Sequence, residues 1–303
     1  MTTIESEAPT EARAEASSRG WTEATLLGMV VIWGLNFAVA KRALETLDPL
    51  AFNALRYLLA SAFVFVVLRR QGRLDLPARE DWKRIGVLGM LGNGIYQLVF
   101  IIGLDLTTAG SGSLMFAVMP VFVLILERWS GVRHALRSWV GAAASIVGVG
   151  LVSGAALRLV GAEALLGNLL MIAAAAFWAL YTQGSQPLIR RYGAVRTTAW
   201  TLWTGAGFIF LVGVPSLLRQ DWAAVDGVSW GGLFYSAFLS IGLAYLLWSR
   251  SVGKLGGSRP AIYSNLTPVV ALAAGALWLG ERVTALSLIG AVLVIGGVML
   301  VRD

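Results

Sequence analysis

The sequence predicts an all-α integral membrane protein with ten transmembrane helices arranged as two inverted five-helix repeats. Three observations predict it. Ten hydrophobic stretches of roughly 20 residues fill the chain, and that is the length needed to cross a bilayer core of about 30 Å. Of the 303 residues 57% are hydrophobic and only 14% charged, where soluble domains carry about 25% charged residues. Lys and Arg, finally, gather in alternate loops, as the positive-inside rule requires of a polytopic chain.

The expected spans are 22–41, 49–68, 83–104, 106–126 and 136–155 in the first half, and 164–183, 197–218, 229–251, 257–279 and 284–302 in the second. Residues 1–21 are rich in Glu, Ala, Ser and Thr and lack the basic and apolar regions of a signal peptide. They are expected to form a disordered cytoplasmic tail. Two units follow, 22–157 and 163–303. Eighteen of the 24 Lys and Arg residues fall in the termini and in the loops after even-numbered helices, among them Arg69, Arg70, Arg79, Lys83, Arg84, Arg190 and Arg191. Five fall on the opposite side: Lys41, Arg42, Arg158, Arg219 and Arg282. Both termini are therefore expected in the cytoplasm, the chain crossing the inner membrane an even number of times.

The halves align. Gly94–Pro120 lies on Gly242–Pro268 without a gap, so that Pro120 meets Pro268; Gly141 and Gly148 match Gly290 and Gly297, and Trp33 matches Trp178. Five crossings bring the second unit in from the opposite face, so the repeats are inverted. That plan is common among secondary transporters, which place the solute near the midplane where the repeats meet.

Particular residues carry a family pattern. The first helix reads Trp33-Gly34-Leu35-Asn36-Phe37 and runs to Lys41; the second contains Arg56-Tyr57-Leu58-Leu59-Ala60; the ninth has Pro268-Val269 and exits through Leu279-Gly280-Glu281-Arg282. Together these resemble the EamA family of the drug/metabolite transporter superfamily, over the whole chain from about residue 22. The resemblance implies ten helices, alternating access and export of small metabolites, aromatic or apolar amino acids foremost. A multidrug or nucleotide-sugar carrier of the same superfamily is the alternative, and a membrane scaffold subunit the non-transport one. One departure stands out: the first half shows Gly131-Val132-Arg133 where the Gly-Glu-Arg exit belongs, so the loop there is expected to close differently.

Candidate solute-binding residues follow from helical spacing. Trp33, Asn36 and Phe37 share one face at i, i+3, i+4, and Trp178, Tyr181 and Thr182 repeat it on the matching helix. Each face pairs a stacking surface with a polar group able to satisfy a polar head in a dry cavity. Asn93, Tyr96 and Gln97 form a third such face; amides at membrane depth need a partner helix or a wet cavity. Ser240 and Tyr245 on the eighth helix, and Tyr263 and Asn265 on the ninth, complete the set, Tyr245 matching Gln97. Pro120 and Pro268 lie within helices and are candidate hinges. Lys41 is an interface anchor or a gate, and Arg56, the most central charge, either holds nearby carbonyls or binds a carboxylate. Packing between helices is the competing role for all of these.

Absences narrow the choice further. With no Cys and one His, His134, thiolate sites and histidine clusters are excluded; His134 is expected to be an exposed loop residue. Asp and Glu are missing between residues 24 and 44, so the first helix lacks a central acid, and a neutral or zwitterionic solute suits the interior. No catalytic set, metal site or cofactor is expected. The expected partners are a small-molecule substrate and the lipid bilayer, with no nucleic acid, the chain being a monomer or a weak homodimer.

Overall fold

The computed structural model describes residues 8–72, 74–159, 161–255, 263–264 and 266–301. The helices run in order: α1 Ala8–Ala43, α2 Pro49–Arg70, α3 Arg79–Leu106, α4 Ala109–Trp129, α5 Leu136–Leu159, α6 Ala162–Tyr192, α7 Ala194–Arg219, then α8 from Gly227–Phe234 through Tyr235–Leu243 to Ala244–Leu255, α9 Thr267–Trp278 and α10 Ala285–Val301. Eight of these are long and apolar enough to cross a membrane, and α9 and α10 are shorter apolar helices. The start of the expected ninth span, 257–262 with residue 265, lies outside the described residues, and that includes the candidate Asn265.

Local chemistry sets the helix ends. Asp48 accepts the N–H groups of Leu50 and Ala51 at 2.8 and 3.1 Å, and Pro49 occupies the first helical position of α2, where its missing N–H is no loss. Thr108 caps α4 and Asp226 caps α8 in the same way. Residues 8–20 are helical and form the start of α1. The physical reason is that Ala, Glu and Arg, frequent there, are strong helix formers. In α6 the helix continues past the expected 183 to Tyr192, through Pro187, and stops at Gly193 with φ +83°.

Two departures from regular helix lie at matching places in the two halves. π-helical turns occupy Met90–Ile95 in α3 and Tyr235–Leu243 in α8; such turns are rare and often sit at functional sites. Pro120 and Pro268 do not lie inside continuous helices. α4 is interrupted at Ala117–Val118 and resumes at Met119, and α9 begins at Thr267, so each proline stands in the first turn of a new helix. A proline there removes no intrahelical bond, whereas inside a continuous helix it would.

Close packing holds the bundle. α5 and α10 cross through glycines: a Cβ on Gly148 would lie 2.6 Å from Gly290 O, and Gly297 abuts Gly141 O. Small residues of this kind let backbones approach where lipid supplies no hydrophobic drive between helices. Because 141 meets 297 while 148 meets 290, the two helices are antiparallel. α1 runs against α8, with Trp33 Nε1 donating to Ser240 O at 3.0 Å and Tyr235 Oη to Ile32 O at 2.9 Å. α3 likewise packs on α6, and α2 on α7.

Loop contacts tie the helix ends. Arg42 pairs with Asp226 at 2.6 Å, and Arg191 with Glu80 and Asp81 at 2.6 and 2.8 Å. Glu281 accepts the N–H groups of Ala109 and Gly110 at 2.6 and 3.0 Å, holding the start of α4. In the first half a different carboxylate serves: Glu127 accepts from Gln183 Nε2 at 3.0 Å and lies 3.4 Å from His134. His134 is thus half-buried against Glu127, which corrects its expected exposure.

Candidate functional site

A cleft halfway along the bundle encloses about 840 Å³, counting the space at its mouth. α1 contributes Trp33, Asn36 and Phe37; α2 contributes Arg56; α3 contributes Tyr96, Gln97 and Phe100. From α4 come Ser113, Phe116 and Pro120, and from α6 Trp178. α8 supplies Ser240, Tyr245 and Trp248, and the ninth-helix segment Ser264, Thr267 and Pro268.

The walls are aromatic. Trp178 lies 5.0 Å from Tyr96 and 5.6 Å from Tyr245 between ring centroids, and Trp33 lies 5.5 Å from Trp248 and 6.2 Å from Tyr245. Phe100 meets Phe37, Tyr96 and Phe116 edge-on or tilted, at 5.5 to 6.0 Å. These separations suit the ring quadrupoles, which favour offset and edge contacts over face-to-face stacks.

Arg56 is the one charge among the described residues of that lining, and it is 1% exposed. Its Nε donates to Asn53 Oδ1 at 2.9 Å and its Nη2 to Gln97 Oε1 at 2.6 Å, while the guanidinium lies 5.0 Å from the Phe52 ring centre. Asn53 Nδ2 in turn donates to Gln97 O at 3.2 Å, and Gln97 Nε2 to Tyr245 Oη at 3.4 Å. An Arg at mid-membrane costs about 3 kcal/mol on insertion scales. Two hydrogen bonds from a charged donor, each worth about 1.5–3 kcal/mol, offset that. Among the described residues no Asp or Glu pairs with Arg56.

The candidates from the sequence distribute as follows. Trp33, Asn36, Tyr96, Gln97, Trp178, Ser240 and Tyr245 line the cleft, as do Arg56, Pro120 and Pro268. Tyr181 stands behind Trp178, its ring 5.2 Å away and its hydroxyl bonded to Thr201 at 3.0 Å. Tyr263 packs on the separate cluster of Leu26, Met29 and Ala244. Both are corrections to the expected lining: helical spacing fixes which residues share a face but not which neighbour that face meets. Asn93 is corrected too. It is 1% exposed and lies against Gly205 of α7. The π turn adds a residue to its helical repeat and breaks the expected i, i+3 relation with Tyr96. Lys41 lies outside the cleft and donates to Asp105 O, joining α1 to the end of α3.

The sequence reading passed over Phe100, Phe116 and Trp248. A signal for two of them was present: the register that sets Gln97 on Tyr245, 148 residues on, also sets Phe100 on Trp248. Among the described residues no group of His, Cys, Asp and Glu could hold a metal ion.

Ten apolar helices around a central aromatic cleft, with Arg56 bound there by amides, define a polytopic membrane protein built to enclose a small molecule. The chain belongs to the EamA-like transporter family, which matches residues 20–154 and 165–302. It is a multi-pass membrane transporter and not an enzyme. Its relatives include the uncharacterized transporter YdfC of Bacillus subtilis, 28% identical over 89% of this chain and 87% of that protein. A probable amino-acid metabolite efflux pump of Salmonella typhimurium is 30% identical over 89% of this chain and 90% of its own length. A probable terminal-alkyne amino-acid exporter of Streptantibioticus cattleyicolor is 26% identical over 90% of each. A solved crystal structure superposes with a TM-score of 0.65 at 19% identity, covering 93% of this chain and 97% of the other, which shows a shared fold.

Proposed function

We infer that the protein exports amino acids with bulky apolar or aromatic side chains by alternating access. The observation that carries this reading is the joining of Arg56 to an aromatic cage in one mid-bundle cleft. The cage suits an apolar side chain, and a fixed guanidinium suits a carboxylate. The names of the relatives from Salmonella and Streptantibioticus point the same way.

Inverted repeats account for the symmetry of the site. Gln97 and Tyr245, Phe100 and Trp248, Phe116 and Ser264, Met119 and Thr267, and Pro120 and Pro268 are five pairs in one register, and all ten residues line the cleft. The glycine contacts between α5 and α10 exchange with each other under the same pairing of halves. Under alternating access the ties at the two ends, Arg42–Asp226 and Arg191 with Glu80 and Asp81, open in turn. The loops richer in Lys and Arg, together with both termini, face the cytoplasm in this reading.

Counterflow in proteoliposomes tests it. Vesicles preloaded with L-phenylalanine or L-leucine should accumulate labelled amino acid well above empty-vesicle levels. Accumulation equal to empty vesicles for every amino acid tried would reject the substrate class.

A further inference from the structure

We propose that the cleft recognises the carboxylate of its solute and not the ammonium, so its ligands are apolar aryl monocarboxylates with or without an amino group. This deepens the transport reading of the same cleft and rests on it.

Three observations carry it. Arg56 has no opposing acid among the described residues: no Asp, Glu or second cation joins it in the described lining. Its Nε and Nη2 are held by Asn53 and Gln97, while Nη1 makes no hydrogen bond among the described residues. The guanidinium is thereby fixed in place with donor capacity left over, and such a fork matches a carboxylate.

Three amide and carbonyl oxygens that an ammonium could use are already engaged. Asn36 Oδ1 accepts from Ser236 Oγ at 2.6 Å, Gln97 Oε1 from Arg56, and Ser240 O from Trp33 Nε1. The amide nitrogen of Asn36, by contrast, donates to no described residue. The nitrogen atoms left over among these groups, Asn36 Nδ2 and Arg56 Nη1, are donors, which complement an anion.

The ring faces of Trp33, Trp178 and Tyr245 attract cations. An ammonium there would still share a dry cleft with a fixed cation, and like charges in such surroundings repel strongly. A neutral or absent amino group avoids that repulsion. Removing the amine from an aromatic amino acid therefore leaves recognition intact, and removing the carboxylate abolishes it.

The test uses the full-length protein in detergent, titrated with L-phenylalanine, 3-phenylpropionate and 2-phenylethylamine and followed by intrinsic tryptophan fluorescence and by calorimetry. Binding of 3-phenylpropionate within tenfold of L-phenylalanine or tighter, with 2-phenylethylamine at least tenfold weaker than 3-phenylpropionate, is the expected result. If 3-phenylpropionate binds more than tenfold weaker than the amino acid, or the amine matches it, the inference is overturned while amino-acid transport stands. If 3-phenylpropionate binds and L-phenylalanine does not, the inference stands and the amino-acid assignment falls. If none of the three binds, both fall.

Discussion

Gln97 and Tyr245 stand 148 residues apart in the chain and meet across the cleft, Nε2 to Oη at 3.4 Å. The same interval separates Pro120 from Pro268. Two positions equivalent in register thus touch at the centre of the molecule, as residues near a twofold axis between inverted halves would. Gln97 also accepts from Arg56, so this contact links the two matching positions to the charged side chain of the cleft.

That link yields a near-isosteric test. Gln97→Glu places a carboxylate against the guanidinium and satisfies it from within the protein. Thermal stability should be unchanged or raised, while affinity for a carboxylate solute falls at least tenfold. Calorimetric titration alongside a melting curve separates the two effects.

Trp33 has two roles that substitution can divide. Trp33→Phe keeps an aromatic wall and loses the hydrogen bond to Ser240 O, a net effect of about 1 kcal/mol. Trp33→Ala removes the wall as well. Counterflow should survive the first within about fivefold and drop more than tenfold in the second, an aromatic contact being worth about 0.5–1.5 kcal/mol beyond its buried area.

The α5–α10 crossing predicts a structural effect remote from the cleft. In Gly148→Val the new Cβ would meet the backbone oxygen of Gly290 at 2.6 Å. Forcing the helices apart should destabilise the protein by about 1–3 kcal/mol. Lower thermal stability with unchanged ligand affinity in the surviving folded fraction is the expected reading from melting and titration.

At one end of the bundle, Asp226 is held down to about 2 by the Ser229 backbone N–H first, then by the Ser229 hydroxyl and Arg42. Its ordinary value is 3.8. A carboxyl depressed in this way adds stability that is fully present above pH 3.8 and disappears as the pH falls through about 2. Melting curves of the parent and Asp226→Asn should therefore differ by a constant amount from neutral pH to about 4 and converge near pH 2.

Much of this architecture is legible in the sequence because bilayer thickness sets span length and lipid forbids unpaired backbone. The breaks at Ala117–Val118 and before Thr267 are not legible as breaks, since an interrupted apolar helix has the same hydropathy as a continuous one. Pro120 and Pro268 mark the place without disclosing its form. Spacing brought Trp33 with Asn36, and Tyr96 with Gln97, to common faces. It could not show that Tyr181 turns its hydroxyl to Thr201, or that a π turn carries Asn93 to α7. Phe100 and Trp248 were within reach through the repeat register, which constrains the cavity from both halves at once.

The absence of native cysteine allows a direct measurement of the central claim, that this cleft is the solute path. Ser240→Cys places a single thiol in the lining. In proteoliposomes its modification by a small methanethiosulfonate reagent should block counterflow, and a transported solute should slow that modification at least fivefold. A thiol that reacts at the same rate with and without every transported solute, with flux unaffected by its modification, would contradict the account.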